Sequence, residues 1–129
     1  MGRQRTKKLT DLESVIMDCI WDLSEATVRE VQQSLRPTKP MAYNTVLTMM
    51  RILRDKGFLA SRREGRVDVY RPLVSREHVA KRSLHELLDG LFAGSAQALV
   101  SQLLESEDLE EEEVEAIRRE VDKRLRKQA

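Results

Sequence analysis

The chain has 129 residues, enough for one domain of ordinary size and an appendage. Aromatic residues at 4% and charged residues at 35% argue against a sandwich or barrel and for a helical, charge-rich protein. The formal net charge of +1 hides a polarity: residues 1–74 hold 14 Lys/Arg against 9 Asp/Glu, and residues 75–129 hold 9 against 13. A basic first half and an acidic second half suit a protein that meets a polyanion with the first half. No apolar run reaches the roughly 18–20 residues of a membrane span. The basic start "MGRQRTKKLTD" lacks the apolar stretch of a secretory signal. The single cysteine, Cys19, excludes an internal disulfide and fits a reducing compartment. A soluble cytoplasmic protein without membrane insertion is expected.

The first predicted helix opens at Thr10, with Glu13 three residues on, a capping box that satisfies first-turn amides. Leu12, Val15, Ile16, Cys19, Ile20 and Leu23 trace its apolar stripe, and Cys19 reads as a small buried hydrophobe. A second capping box, Thr27 and Glu30, starts a short helix that buries Val28, Val31 and Leu35 and stops at Arg36 and Pro37. "PTKP" is a stiff connector with two prolines. A third helix, "YNTVLTMMRILRDKG" at 43–57, presents Val46, Met49, Met50 and Leu53 to a core and turns Asn44, Thr48, Arg51 and Asp55 outward. This order of helix, short helix, turn and helix is that of a helix-turn-helix.

After Gly57 the apolar period changes from 3.6 to 2. "FLASRR" and "RVDVYRPL" read as two strands of a hairpin around Glu64-Gly65. Three helices followed by a basic hairpin predict a winged helix, mostly α with a small β-hairpin wing, over residues 1–74. From residue 75 three amphipathic helices follow, the first capped by Ser75 and closing near Gly90 or Gly94, the second opened by Ser95. The third covers "ESEDLEEEEVEAIRREVDKRLRK", with Glu in its first turns and Arg and Lys in its last, matching the helix dipole. These helices have little of their own to bury against. A homodimer is therefore expected, with residues 75–129 as a helical dimerisation domain built on Leu84, Leu88, Leu91, Leu99, Leu103, Val114, Ile117, Val121 and Leu125.

Enzyme chemistry finds no purchase. No glycine-rich phosphate loop and no strand-helix alternation occur, and the two histidines, His78 and His85, lie two turns apart without a third ligand near Glu86 or Asp89. "EEEE" at 110–113 reads as a helix start. No catalytic residue, metal or cofactor is expected. The third helix is different, because Asn and Thr are poor helix formers that an ordinary solvated face would not favour. Asn44, Thr45 and Thr48 match what base edges in a major groove demand, Asn pairing with adenine and Thr offering a hydroxyl and a methyl. Arg51, Arg54 and Lys56 suit phosphates, and Tyr43 either braces the core or reaches the DNA backbone. Arg62, Arg63 and Arg66 bunch at the wing as a phosphate clamp, and Arg3, Arg5, Lys7 and Lys8 form a basic N-terminal arm. The alternative use of the same surface is a protein-protein module whose wing meets an acidic partner.

Taken together, "LTDLESVIMDCIWDL", "ATVREVQQSL", "AYNTVLTMMRILRDKGFL" and "EGRVDVYRPLVS" resemble the BlaI/MecI/CopY family of bacterial transcriptional repressors, from about residue 9 to residue 127. The resemblance implies a dimeric winged-helix repressor that binds inverted repeats in double-stranded operator DNA. In it Asn44, Thr45, Thr48 and Arg51 stand at DNA-contacting positions of the helix, and Arg62, Arg63 and Arg66 at those of the wing. It also implies release by a signal. In the penicillinase-type branch a membrane-bound sensor metalloprotease leads to cleavage at an Asn-Phe bond, and Gln102-Leu103 stands in that place here. In the copper branch a C-terminal cluster of paired cysteines binds metal, and the tail "RLRKQA" has none, which excludes that device.

Overall fold

A computed structural model describes residues 8–129. Its elements run α1 (Asp11–Leu23), α2 (Val28–Leu35), α3 (Tyr43–Asp55), β1 (Leu59–Glu64), β2 (Val67–Pro72), α4 (Arg76–Leu91), α5 (Ala96–Leu104) and α6 (Glu111–Gln128). This is the expected fold class of helices with one antiparallel hairpin. The chain divides into two compact units, one ending at Ala80 and one from Lys81 to Ala129. No single helix among the described residues is long and apolar enough to cross a membrane.

In the first unit both capping boxes form. Thr10 accepts from the Glu13 amide at 3.2 Å and Thr27 from the Glu30 amide at 3.2 Å, while each glutamate reaches back to its cap amide. The core joins Ile16, Met17, Ile20, Val31, Val46, Met50, Leu53, Leu59 and Tyr70, all essentially without exposure. Two details of α1 depart from the expected stripe. Met17 is buried and Leu23 is 43% exposed, because α1 packs on α2, α3 and β2 together and so buries a broader arc that takes in Glu13 and Met17. Met49 is only partly buried at the edge of the core.

Gly57 ends α3 in the left-handed region, at φ 91°. Its amide donates to the Arg54 carbonyl at 3.0 Å and the Phe58 amide to the Leu53 carbonyl at 2.9 Å, the two bonds of a Schellman motif. The chain is thereby turned straight into β1. The strands pair antiparallel, Leu59 with Pro72 through Glu64 with Val67. The loop is therefore Gly65-Arg66, one residue later than the sequence suggested, with Gly65 at φ 64°. The sheet has a third, single-residue member: Ala26, between α1 and α2, exchanges amide and carbonyl with Tyr70 at 2.9 and 2.8 Å. Trp21 donates its indole N–H to the Val74 carbonyl at 2.9 Å, and Arg76 lies 5.3 Å from the centre of the Trp21 ring. The same guanidinium reaches Asp22 at 3.0 Å and so ties the first turn of α4 to α1.

One buried charge stands out. Glu13 is 3% exposed, and the Lys56 ammonium donates to its two oxygens at 2.8 and 3.0 Å and to the Lys8 carbonyl at 3.1 Å. All three ammonium hydrogens are spent on these acceptors. Burial alone would push the Glu13 carboxyl up. The Lys56 hydrogen bond, the Thr10 amide and the lysine charge outweigh it and hold the group below its ordinary value of 4.5.

Towards the C-terminus Ser75 accepts from the His78 amide at 3.0 Å and Ser95 from the Ala98 amide at 3.1 Å. The first of these caps belongs to the start of α4, on the winged-helix side of the division. Gly94, at φ 79°, gives its amide to the Leu88 carbonyl at 2.9 Å and closes α4. The helix α6 begins at Glu111 rather than at Glu105, with three glutamates in its first turn and Arg126 and Lys127 in its last. None of α4, α5 and α6 buries a residue.

The first unit generates three stability predictions. A depressed folded-state pKa stabilises above the unfolded value and is lost as pH falls. Glu13→Gln should therefore flatten the acid limb of a urea-melt pH series below about pH 4.5. Lys56→Met, which strands the carboxylate, should cost about 3 kcal/mol at pH 7. The buried Tyr70 hydroxyl has no hydrogen-bond partner among the described residues. Tyr70→Phe should accordingly raise stability by about 1 kcal/mol in the same melts.

Candidate nucleic-acid interface

The third helix is held from one side. Val46, Met50 and Leu53 have no exposure, and about a half-turn away Asn44, Thr45, Thr48 and Arg51 are all exposed. At about 100° per residue, Asn44, Thr48 and Arg51 fall within an arc of about 60°, with Thr45 flanking them. Two further residues lie in or beside that arc. Asp55 sits at its far end, paired with Arg54 at 3.4 Å. Ile52, 41% exposed, stands between the lines of Thr45 and Thr48 and was not among the expected site residues. Its signal was an apolar residue four positions after Thr48, outside the core stripe. Tyr43, 43% exposed, lies at the flank of the helix rather than on this face.

The start of α3 also differs from its neighbours. Where α1 and α2 have capping boxes, Ala42 offers α3 no side-chain cap, so among the described residues the Tyr43 and Asn44 amides stay open to an outside acceptor, while the Thr45 amide turns back to the Ala42 carbonyl at 3.1 Å. Gln32 donates to the Met41 carbonyl at 3.2 Å and fixes the connector. The Thr38 and Lys39 amides both donate to the Leu35 carbonyl, at 3.1 and 2.7 Å.

The basic residues sort into distinct groups. Arg51 and Arg66 are exposed and form no ion pair among the described residues. The same holds for Arg29, Arg36 and Lys39 along α2 and the connector, which sequence reasoning passed over because they are scattered rather than bunched. Arg63 makes one cross-strand contact, to Asp68 at 3.3 Å, and its side chain is 66% exposed. Lys56 is engaged inward with Glu13, so the expected phosphate contact there is replaced by a structural one. Arg62 is engaged as well: it grips Glu25 with two nitrogens at 2.9 and 3.0 Å and Glu64 at 2.7 and 3.0 Å. Those hydrogen bonds raise its already high pKa, and Glu25 is lowered, first by the Arg62 hydrogen bond and further by the charges of Arg62 and Arg71. Lys8 lies where its carbonyl meets Lys56, and Arg3, Arg5 and Lys7 lie outside the described residues. His78 and His85 are both exposed on α4. Among the described residues no group of three or more His, Cys, Asp or Glu is placed to hold a metal ion.

In the second unit the expected apolar residues are largely uncovered: Leu84 is 50% exposed, Leu91 79%, Leu103 49%, Val121 51% and Leu125 59%. Val114 is exposed too, while Leu88, Leu99 and Ile117 are half-buried.

Comparison with known proteins agrees with this geometry. The penicillinase repressor family model matches residues 9–123. The penicillinase repressor of Bacillus licheniformis is 30% identical over 111 residues, covering 86% of this chain and 87% of that protein. The transcriptional regulator BlaI of Mycobacterium tuberculosis is 32% identical over 114 residues, covering 87% and 81%. The methicillin resistance regulatory protein MecI of Staphylococcus aureus is 23% identical, covering 88% and 93%. Among solved structures, the DNA-binding domain of the repressor BlaI aligns with a TM-score of 0.50 and 34% identity, over 54% of this chain and 85% of that domain. A MarR family protein from Bacillus stearothermophilus aligns with a TM-score of 0.53 and 18% identity over 98% of this chain and 82% of that one, a likeness of fold. The chain belongs to the penicillinase repressor family, a family of transcriptional repressors and not of enzymes.

Proposed function

We infer that the protein is a homodimeric repressor that binds a pseudo-palindromic operator in double-stranded DNA, one winged helix to each half-site. The observation that carries this reading is α3, whose core face is locked while Asn44, Thr45, Thr48 and Arg51 stand together and exposed. Asn44, Thr45 and Thr48 read base edges, and Ile52 adds apolar surface suited to a thymine methyl. Arg51, Arg63 and Arg66, with Tyr43, the open amides of α3 and the basic N-terminal arm, hold phosphates. Arg29, Arg36 and Lys39 extend that cationic surface along the helix that crosses the backbone in helix-turn-helix complexes. The relatives named as repressors support the same role.

The second unit supplies the dimer. Helices that bury nothing by themselves and leave Leu84, Leu91 and Leu103 exposed are stabilised when a second copy covers them. Two reading helices then sit one helical turn of DNA apart or a small multiple of it. Release follows a signal, with a membrane sensor protease as the partner the family suggests. Such a protease would meet Gln102 and Leu103 on α5, both exposed, and would have to accept that pair in place of Asn-Phe.

Three measurements test these assignments. DNA selected by the pure protein from a random duplex pool should converge on an inverted repeat, and an unenriched pool would leave the protein-protein alternative. On the selected duplex, Thr48→Ala should narrow the gap between operator and scrambled DNA by about 1 kcal/mol. Arg51→Ala should instead weaken both alike and lower the salt slope by about 0.9. In sedimentation, the wild type should run as a dimer at micromolar concentration. Leu103→Glu should raise the dimer dissociation constant about a hundredfold, because a two-fold interface counts each change twice.

A further inference from the structure

The wing carries three arginines, and the structure gives them unequal duties. Arg62 donates through Nη1 to Glu25 Oε1 at 2.9 Å and through Nη2 to Glu25 Oε2 at 3.0 Å, a two-pronged grip on one carboxylate. Nε and Nη2 reach Glu64 Oε2 at 3.0 and 2.7 Å. Four of the five guanidinium N–H groups are thus spent, and the Arg62 charge is matched by two carboxylates, with the Arg71 charge also acting on Glu25. A phosphate approaching Arg62 would meet two carboxylates already in its grip and only one remaining N–H.

The location of the cluster explains what it holds. Glu64 is the last residue of β1, two places from Arg62 and so on the same face of the strand. Glu25 precedes Ala26, which pairs with Tyr70 as the third member of the sheet. Tyr70 in turn follows Val69, the cross-strand partner of Arg62. Arg62 therefore straps the connector between α1 and α2 to the hairpin next to the two hydrogen bonds that join them. On the opposite face of β1, Arg63 pairs with Asp68 alone among the described residues, and Arg66 at the turn has no ion pair among them.

We propose that Arg62 is a positioning residue of the wing, fastened by Glu25 and Glu64, and that Arg63 and Arg66 supply the wing's phosphate charge. Loss of Arg62 lets the hairpin swing without removing a counterion-releasing contact. The assignment rests on the reading of the protein as a DNA binder and divides the wing's labour within it.

Salt dependence separates the two duties, because each phosphate contact contributes about 0.9 to the slope of log K against log salt. The binding of wild type, Arg62→Gln, Arg66→Gln, Arg62→Glu and the exchange variant Arg62→Glu with Glu25→Arg would be titrated on a mixed-sequence duplex of about 30 base pairs. Arg66→Gln should lower the slope by about 0.9. Arg62→Gln should leave the slope within about a third of that change and weaken binding by about two- to fivefold at every salt concentration. Arg62→Glu should weaken binding further, and Glu25→Arg should restore it by rebuilding the strap with its partners exchanged. Amide hydrogen exchange, read without DNA, should quicken at Ala26 and Tyr70 in Arg62→Gln and return toward wild type in the exchange variant. A full slope decrement in Arg62→Gln, or an exchange variant no better than Arg62→Glu, would overturn the assignment while leaving DNA binding intact. Failure of the wild type to bind the duplex at low salt would overturn the DNA reading and the assignment with it.

Discussion

Lys56 lies one residue past the end of α3, and its ammonium points back into the protein at a carboxylate 43 residues earlier in the chain. The same Glu13 takes the Thr10 amide, so one buried carboxylate both closes the cap of α1 and fastens the far end of α3. At the near end, Gln32 holds the Met41 carbonyl. Between these ties the apolar stripe of Val46, Met50 and Leu53 presses on the core. Among the described residues these restraints act on the helix from its inner side and its ends. The outward residues are left unengaged yet rigidly placed, which is the condition for reading a groove with short side chains such as Asn and Thr.

Much of this was legible in the sequence because it depends on neighbours. Capping boxes, the 3.6-residue period of three helices, the change to alternation after Gly57 and the glycine in the hairpin turn are all written within a few positions, and the structure reproduces them. The exposure of Asn44, Thr45, Thr48 and Arg51 follows from the same periodicity. What escaped depends on distance along the chain. Lys56 looked like a cation beside a reading helix, and only the fold brings Glu13 to it. Arg62 looked like one of three equal wing arginines until Glu25, 37 residues away, was found in its grip. Ala26 gave no strand signal because a single bridging residue has no period to show.

The charge polarity of the sequence takes on a finer grain in the folded chain. The first half is basic, yet some of its cations are consumed internally: Lys56 by Glu13, and Arg62 by Glu25 and Glu64. A count of lysines and arginines therefore overstates what a polyanion can reach. Arg51 on the third helix, Arg29, Arg36 and Lys39 on the short helix before it with its connector, and Arg66 at the wing turn are exposed and form no ion pair among the described residues.

The absence of any buried side chain in α5 and α6 bears on quantity as much as on shape. In the dimeric reading proposed above, a helical segment that borrows its core from a second copy is ordered by mass action, so its population rises with the concentration of the protein itself. Occupancy of a two-part target would then climb more steeply than in proportion to the number of chains, and fall as steeply when that number drops. Modest dilution of the protein, or removal of a short stretch of α5, would have the leverage of a much larger loss.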